Sequence, residues 1–330
     1  MASAAARATG PPVEPLTIHP GIVGVGGALP PDVVENAAIT PLIGVSDEWI
    51  VKRTGIRTRR YADPRAALAD LAAQAGAAAL QDAGVDASQV DLVLVASCSQ
   101  DSVMPNAAPV VAHMLGTAEA GAFDVGSACT GFIAALATAR GILLTGGAEH
   151  ALVIGAEIMS RHVDRRDRNT AALFGDGAGA VVCSARAAGV IGPVVLGSDG
   201  HHRELIVADR DTGLLAMDGH ETFKQAVRRL AEGTIAACAR ASVGLDDIDL
   251  FVYHQANSRI LRSVAERLDV PLVKLLDHIA DLGNTSAASV PLALAQARAD
   301  GRLRQGMRIL LAAAGAGFTW GGCVVEWGGR

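Results

Sequence analysis

A layered α/β architecture assembled from two related halves is the fold class that this sequence predicts. Three observations carry it. Short apolar segments alternate with longer stretches of helical periodicity, the pattern of strands and helices packed in layers. Segments of the first half recur in the second at a nearly constant spacing: DLVLVAS at 91–97 resembles DLFVYHQ at 249–255, 158 positions on; DVGSA at 124–128 resembles DLGNT at 281–285, 157 on; LVIGA at 152–156 resembles ILLAA at 309–313, again 157 on. Half of the 330 residues are hydrophobic, yet only 3% are aromatic and Gly and Ala abound, so helices and sheets can approach closely around a sizeable core.

In the first half, strands are predicted at 22–25, 92–96, 122–125, 152–154 and 180–183, with helices over 68–83, 107–115 and 130–144. In the second, strands fall at 190–196, 250–253, 309–313 and 323–326, with helices over 221–241, 258–268 and 287–299. Residues 1–17 are rich in Ala, Pro and Gly without the hydrophobic run of a signal peptide and read as a flexible tail. The N-terminal half is set at 18–186 and the C-terminal half at 187–330.

A net charge of −6 argues against a general nucleic-acid binder, and no apolar run reaches the length of a membrane span. Five cysteines, at 98, 129, 183, 238 and 323, show no CxxC or metal-ligand spacing. Their odd count and wide scatter predict a reduced, cytoplasmic chain without a metal site. Residues 174–180 (FGDGAGA) lack the Lys-Ser/Thr ending of a phosphate loop and read as a close-packing turn, so no nucleotide cofactor is implied.

Cys129 lies where the strand at 122–125 runs through small residues into a helix. Unpaired N–H groups and the helix dipole favour a thiolate there. His254 stands at the C-terminal end of the strand at 250–253, the edge where ligands gather in α/β sheets. Asn284 lies in a Gly-Asn-Thr-Ser turn before a helix. Each also has an ordinary reading, as a core cysteine, a satisfied histidine and a plain turn. Together they offer a nucleophile, an imidazole and a neutral amide donor. Two packed halves bring equivalent loops to one face, which predicts a site at the seam, with Cys129 from the first half and His254 and Asn284 from the second.

Six motifs sharpen this reading: SDEWIVKRTGIR at 46–57, SACTGF at 127–132, FGDGAGA at 174–180, HQAN at 254–257, GNTSAAS at 283–289 and GFTWG at 317–321. In order and near-family spacing they resemble the β-ketoacyl-acyl carrier protein synthase III family of the thiolase superfamily, over residues 20–330. The resemblance implies a thiolase-like five-layer αβαβα sandwich of two duplicated halves. It also implies a two-step reaction. Cys129 takes an acyl group from acyl-CoA, which is a substrate and leaves no cofactor to be supplied. Malonyl-acyl carrier protein then loses CO2, and its enolate attacks the acyl-enzyme, starting a fatty acid or polyketide chain.

By the same resemblance, His254 and Asn284 match the donors to the malonyl thioester oxygen. The backbone N–H groups of Cys129 and Ala316 match the oxyanion hole, although Ala316 stands where many members have Gly. Trp49 and Arg168 match the pair that sandwiches the CoA adenine, Arg53 a phosphate contact, and Gly219, Ala256 and Asn257 the pantetheine contacts. Met104 falls where a residue crosses a homodimer interface to close the partner's acyl pocket. Met is thinner and more flexible than the Phe common there and would admit a longer or branched primer. Lys224 with Arg228, and Arg259 with Arg262, are spaced to share helix faces and are expected to dock the acidic acyl carrier protein, against the alternative of ordinary surface basicity.

Three other functions fit these residues less well. An acyltransferase passing the acyl group to an alcohol or amine needs a base but no decarboxylation pair. A noncatalytic subunit has no use for Cys129. Hydroxymethylglutaryl-CoA synthase-like chemistry wants a carboxylate near the thiol, and the alanines at 77–79, where that family often has its acid, offer none.

Overall fold

The computed structural model describes residues 18–117 and 119–329, so the tail read at 1–17 lies outside the described residues. In chain order the first half holds β1 (Gly21–Ala28), β2 (Asp32–Glu35), α1 (Thr40–Ile43), α2 (Asp47–Thr54), β3 (Thr58–Tyr61), α3 (Leu68–Ala83), β4 (Leu92–Ala96), α4 (Ala107–Leu115), β5 (Gly121–Val125), α5 (Gly131–Leu144), β6 (His150–Ile158) and β7 (Asp176–Ser184). The second holds β8 (Val190–Ile191), β9 (Val195–Ser198), β10 (Ile206–Ala208), β11 (Leu215–Met217), α6 (Gly219–Ala241), β12 (Leu250–Tyr253), α7 (Ser258–Leu268), α8 (Ile279–Leu282), α9 (Ser289–Ala299), β13 (Arg308–Gly315) and β14 (Thr319–Glu326).

Two mixed sheets form the body. The first has strand order β1-β7-β6-β4-β5; in the second, β12-β13-β14 continues to β8, and β9 also pairs with β14. Strands β4, β5 and β6 run parallel, as do β12 and β13, and the remaining pairs of these sheets are antiparallel. The near-continuous apolar β4, β6 and β7 are what a sheet covered on both faces requires. One face of each sheet shares a core with α5 and α9, through Leu94, Phe132, Leu136, Val252, Val290 and Leu311. The outer face of the first sheet packs on α3 and α4, and that of the second on α6 and α7. The layers therefore read α, β, α, β, α, the thiolase-like sandwich of two duplicated halves.

Strand register refines the duplication. Leu92 of β4 pairs with Ala151 of β6, and Leu250 of β12 pairs with Ile309 of β13. Both members of the second pair lie 158 positions beyond the first, so the matches read at 157 were one residue out of register. Asp91 and Asp249 confirm it: each N–H donates to the next strand's start, at His150 O (3.0 Å) and Arg308 O (2.9 Å).

The single strand expected at 190–196 is interrupted. Pro193 has no N–H to give to a ladder, and the chain divides into β8 and β9 around it. The short β2, β3, β10, β11, α1, α2 and α8 were not among the expected elements; each is too brief to show a period.

The halves also differ in length at one place. Residues 159–175 link β6 to β7, whereas residues 316–318 link β13 to β14. The longer link carries Arg168 and forms one wall of the cleft described next.

Candidate active site

After β5 the chain turns through residues 128–130 and enters α5. Ala128 takes a φ of 43°, a left-handed conformation that costs a β-carbon residue energy and needs support from its surroundings. That support comes from the other half. Thr130 Oγ1 lies 2.7 Å from Thr319 Oγ1, and Thr319 Oγ1 donates to Ala316 O at 2.9 Å. Gly315 makes the join possible, since a Cβ there would lie 2.6 Å from Cys129 Cβ and 3.1 Å from its sulfur.

Desolvation pushes the Cys129 thiol up to about 11. The Ser286 hydroxyl, 3.5 Å from the sulfur, and the backbone N–H groups of Cys129 and Ala316 act in the opposite direction. The thiolate expected from the helix N-terminus is therefore not the resting form. Burial outweighs these donors, and the site holds a thiol that ionises as it reacts.

His254 extends the β12 ladder, its N–H donating to Ala312 O at 2.8 Å. Its Nδ1 lies 2.6 Å from Ser289 Oγ, at the start of α9. Burial lowers its pKa to about 4, so the ring is neutral. With Ser289 donating to Nδ1, the proton sits on Nε2 and the ring is a donor.

Asn284 is held by its backbone: its N–H donates to Leu173 O (2.8 Å) and its carbonyl accepts from Gly175 N (3.0 Å). Its Oδ1 accepts from Ser286 N–H at 2.9 Å, which leaves the Nδ2 amide as the free end. Cys129, His254, Asn284 and Ala316 all line one cleft of about 1490 Å³ between the two halves. A sulfur, two neutral side-chain donors and two backbone donors around one cavity suit covalent acyl transfer followed by charge build-up on a thioester oxygen.

Trp49, Arg53, Arg168, Gly219, Ala256 and Asn257 line the same cleft. Trp49 is flanked by two guanidinium groups, Arg53 at 4.6 Å and Arg168 at 4.8 Å from the ring centre. No base fits between planes that close, so a sandwich with Arg168 requires that side chain to swing aside. Asn257 is already engaged: its Oδ1 caps α7 at Arg259 N (2.9 Å), and its Nδ2 donates to Arg53 O (3.0 Å).

Met104 is 82% exposed beside Val103 at 88%, outside this chain's cleft. The basic groups are partly spent. Lys224 pairs with Glu221 at 2.6 Å, Arg228 lies 3.8 Å from Glu232, and Arg259 stacks 5.5 Å above Phe223, leaving Arg262 exposed.

Sequence reasoning passed over Ser289, which fixes the imidazole, and Ser286, which touches the sulfur. Both lie in the GNTSAAS motif, so the motif was seen and these members' roles were not. It also passed over Cys98 and Glu157. Glu157 is buried at the end of β6, within 3.3 Å of Cys98 Sγ. A charged residue inside the apolar run ALVIGAEIM was the available signal.

Two family models match the chain, 3-oxoacyl-[acyl-carrier-protein] synthase III over residues 123–200 and its C-terminal part over 238–327. The chain is 45% identical to the beta-ketoacyl-[acyl-carrier-protein] synthase III of Rhodobacter capsulatus, covering 94% of this chain and 100% of that one. The crystal structure of 3-oxoacyl-[acyl-carrier-protein] synthase III from Aquifex aeolicus VF5 superposes with a TM-score of 0.90 at 39% identity, over 93% of this chain and 100% of that one. The priming beta-ketosynthase of the R1128 polyketide biosynthetic pathway does so at 0.90 and 35%, over 96% and 99%. This chain belongs to the β-ketoacyl-acyl carrier protein synthase III family.

Proposed function

We propose the following course for the condensing reaction of this acyltransferase. Cys129 attacks the thioester of an acyl-CoA, and the backbone N–H groups of Cys129 and Ala316 receive the oxyanion. CoA leaves and the acyl group stays activated as an enzyme thioester. Malonyl-acyl carrier protein then occupies the cleft. His254 Nε2–H and Asn284 Nδ2–H donate to its thioester oxygen as CO2 departs, and the enolate attacks the acyl carbon. The observation that carries this reading is the Cys129, His254 and Asn284 constellation on one cleft, with each donor oriented by its own serine contact.

In this reading Trp49, Arg168 and Arg53 hold the nucleotide end of CoA, while Gly219, Ala256 and the Asn257 backbone face its pantetheine arm. Arg259 and Arg262 form the carrier dock, with Lys224 and Arg228 contributing less because acids on their own helix offset them. A second copy of the chain covers Val103 and Met104, and Met104 gates the partner's acyl pocket; their near-complete exposure supports this.

The test is intact-mass measurement after incubation with a panel of acyl-CoAs, followed by malonyl-acyl carrier protein. A Cys129-dependent adduct that is discharged with release of CO2 is expected. An adduct discharged only to alcohols or amines would replace condensation with simple transfer.

A further inference from the structure

An attacking thiol must give up its proton, and His254, with Nδ1 taken up by Ser289 and the proton on Nε2, is a weak acceptor for it. Another acceptor lies behind the sulfur. Glu157 is fully buried at the end of β6. Its carboxyl faces donors: Ser97 Oγ at 3.2 Å, Ser99 Oγ at 2.5 Å, the Cys98 N–H at 3.2 and 3.3 Å, and Cys98 Sγ at 3.3 Å. Ser99 Oγ accepts from Ile158 N and Ser97 Oγ from Ser99 N, so both hydroxyl protons are free to point at the carboxyl. A shell of donors fits a carboxylate better than an acid. Desolvation nevertheless raises its pKa, which makes the charged form ready to take up a proton. From Cys98 Sγ the contacts run on to Ser286 Oγ at 3.8 Å and from there to Cys129 Sγ at 3.5 Å. The serine hydroxyl and the Cys98 thiol each donate and accept.

We propose that Glu157 receives the Cys129 proton through Ser286 and Cys98 during acylation. The step belongs to the condensing reaction inferred above and rests on it. As the Cys129 S–H bond breaks, the bond from Sγ to the acyl carbon forms. The acyl carbon's bond to CoA sulfur breaks, and CoA leaves as a thiolate that takes a proton from water. The thiol proton passes to Ser286 Oγ, the serine's own proton to Cys98 Sγ, and the Cys98 proton to Glu157 Oε1. On condensation the enolate displaces Cys129 as a thiolate, and the same line returns the proton.

One negative charge moves from Glu157 to sulfur, so no second charge accumulates in the buried site. The carboxylate disfavours a thiolate beside it, and its neutralisation removes that penalty, which couples the two groups into one titration. The titratable groups that bear on Glu157 are the Cys98 thiol, from the loop after β4, and the Cys129 thiol, from the turn before α5. The turn before α9 adds the uncharged Ser286, and β7 faces Glu157 with Gly177. Glu157 and Cys98 are positioning residues that act through Ser286; of these three side chains, Ser286 is the one that touches the reacting sulfur.

The experiment is rapid-quench acylation by acyl-CoA, read by intact mass, from about pH 5 to about pH 10. The wild-type rate should be flat across neutral pH, because the acceptor is built in. Glu157→Gln should be about 10²-fold slower near pH 7 and climb steadily towards the thiol's own ionisation. Glu157→Asp should keep part of the plateau. Cys98→Ser should keep the plateau and Cys98→Ala should lose it, and this pair decides the matter if the glutamine variant fails to fold. A uniform fall at every pH, or a plateau retained in both E157Q and C98A, overturns the relay while leaving the condensing reaction intact. A wild-type chain that gains no adduct overturns both.

Discussion

The turn before α5 and the turn before α9 are one piece of structure used twice. Each is a tight 3-10 turn whose first residue has a positive φ, 43° at Ala128 and 48° at Ser286, and the two lie 158 positions apart. At that spacing Cys129 corresponds to Ala287, Asn284 to Gly126, His254 to Ala96 and Ser289 to Gly131. In the first half, Gly131 and Ala96 are in bare contact, and a Cβ on the glycine would lie 3.1 Å from the alanine Cβ. In the second half the same contact is the 2.6 Å hydrogen bond between Ser289 Oγ and His254 Nδ1. Wherever one half carries a reacting group, the other carries Ala or Gly. The duplicated scaffold supplies two equivalent sheet edges, and the chemistry is divided between them so that the two sets face each other across one cleft.

Moving the thiol to its counterpart is the strongest way to break this comparison. Cys129→Ala should abolish the acyl adduct. Adding Ala287→Cys in that background should not restore it, because Ala287 is 1% exposed, is packed against Gly131 and Gly155, and does not line the cleft. An adduct in the C129A/A287C protein would mean that the helix-end position alone makes a nucleophile and that the facing half is dispensable. Asn284→Ala probes the opposite half. It should slow decarboxylation of malonyl-acyl carrier protein by about 10²–10³ while leaving acyl loading within a few-fold. Equal losses in both steps would remove the division of labour.

Much of the scaffold was legible because its elements are long or strongly apolar. Strands β4 and β12 and helices α3, α4 and α7 have the bounds expected from periodicity. The repeat was legible too, and the match of 91–97 to 249–255 has its true register, whereas the two matches at 157 are one residue short. Asp124 and Asp281 are identical letters at the wrong offset, and the hydrogen bonds of Asp91 and Asp249 to the next strand carry the offset of 158 through every later position. Cys129, His254 and Asn284 were legible as residue types at element ends. The protonation of the thiol was not, since it depends on desolvation by parts of the chain far away in sequence. Neither was the Arg168 guanidinium lying directly over Trp49, nor the capture of the Asn257 carboxamide by the Arg53 carbonyl. Both are tertiary contacts with no local signature.

The subtlest difference between the halves is the Ser289–His254 hydrogen bond, and removing it sharpens the comparison. Ser289→Ala restores the apolar character of the Ala96–Gly131 contact without touching the cleft's donors. One buried hydrogen bond contributes about 1 kcal/mol, so the ratio of the Nε2–H to the Nδ1–H tautomer should fall about fivefold, and the decarboxylation rate by up to about that factor. Loading of Cys129 should be unchanged. The pH profile separates this from general damage. Burial, not Ser289, lowers the His254 pKa to about 4, so the acid limb of decarboxylation should stay well below the ordinary imidazole value of 6.5 in both proteins. The sign follows from linkage. Below pH 6.5 the unfolded chain binds a proton at His254 that the folded chain refuses, so this residue lowers stability progressively as pH falls towards 4. An acid limb near 6.5 in the wild type would place His254 in water during turnover. In that case the serine contact would be a packing detail, and the second half's distinctive feature would lose its catalytic meaning.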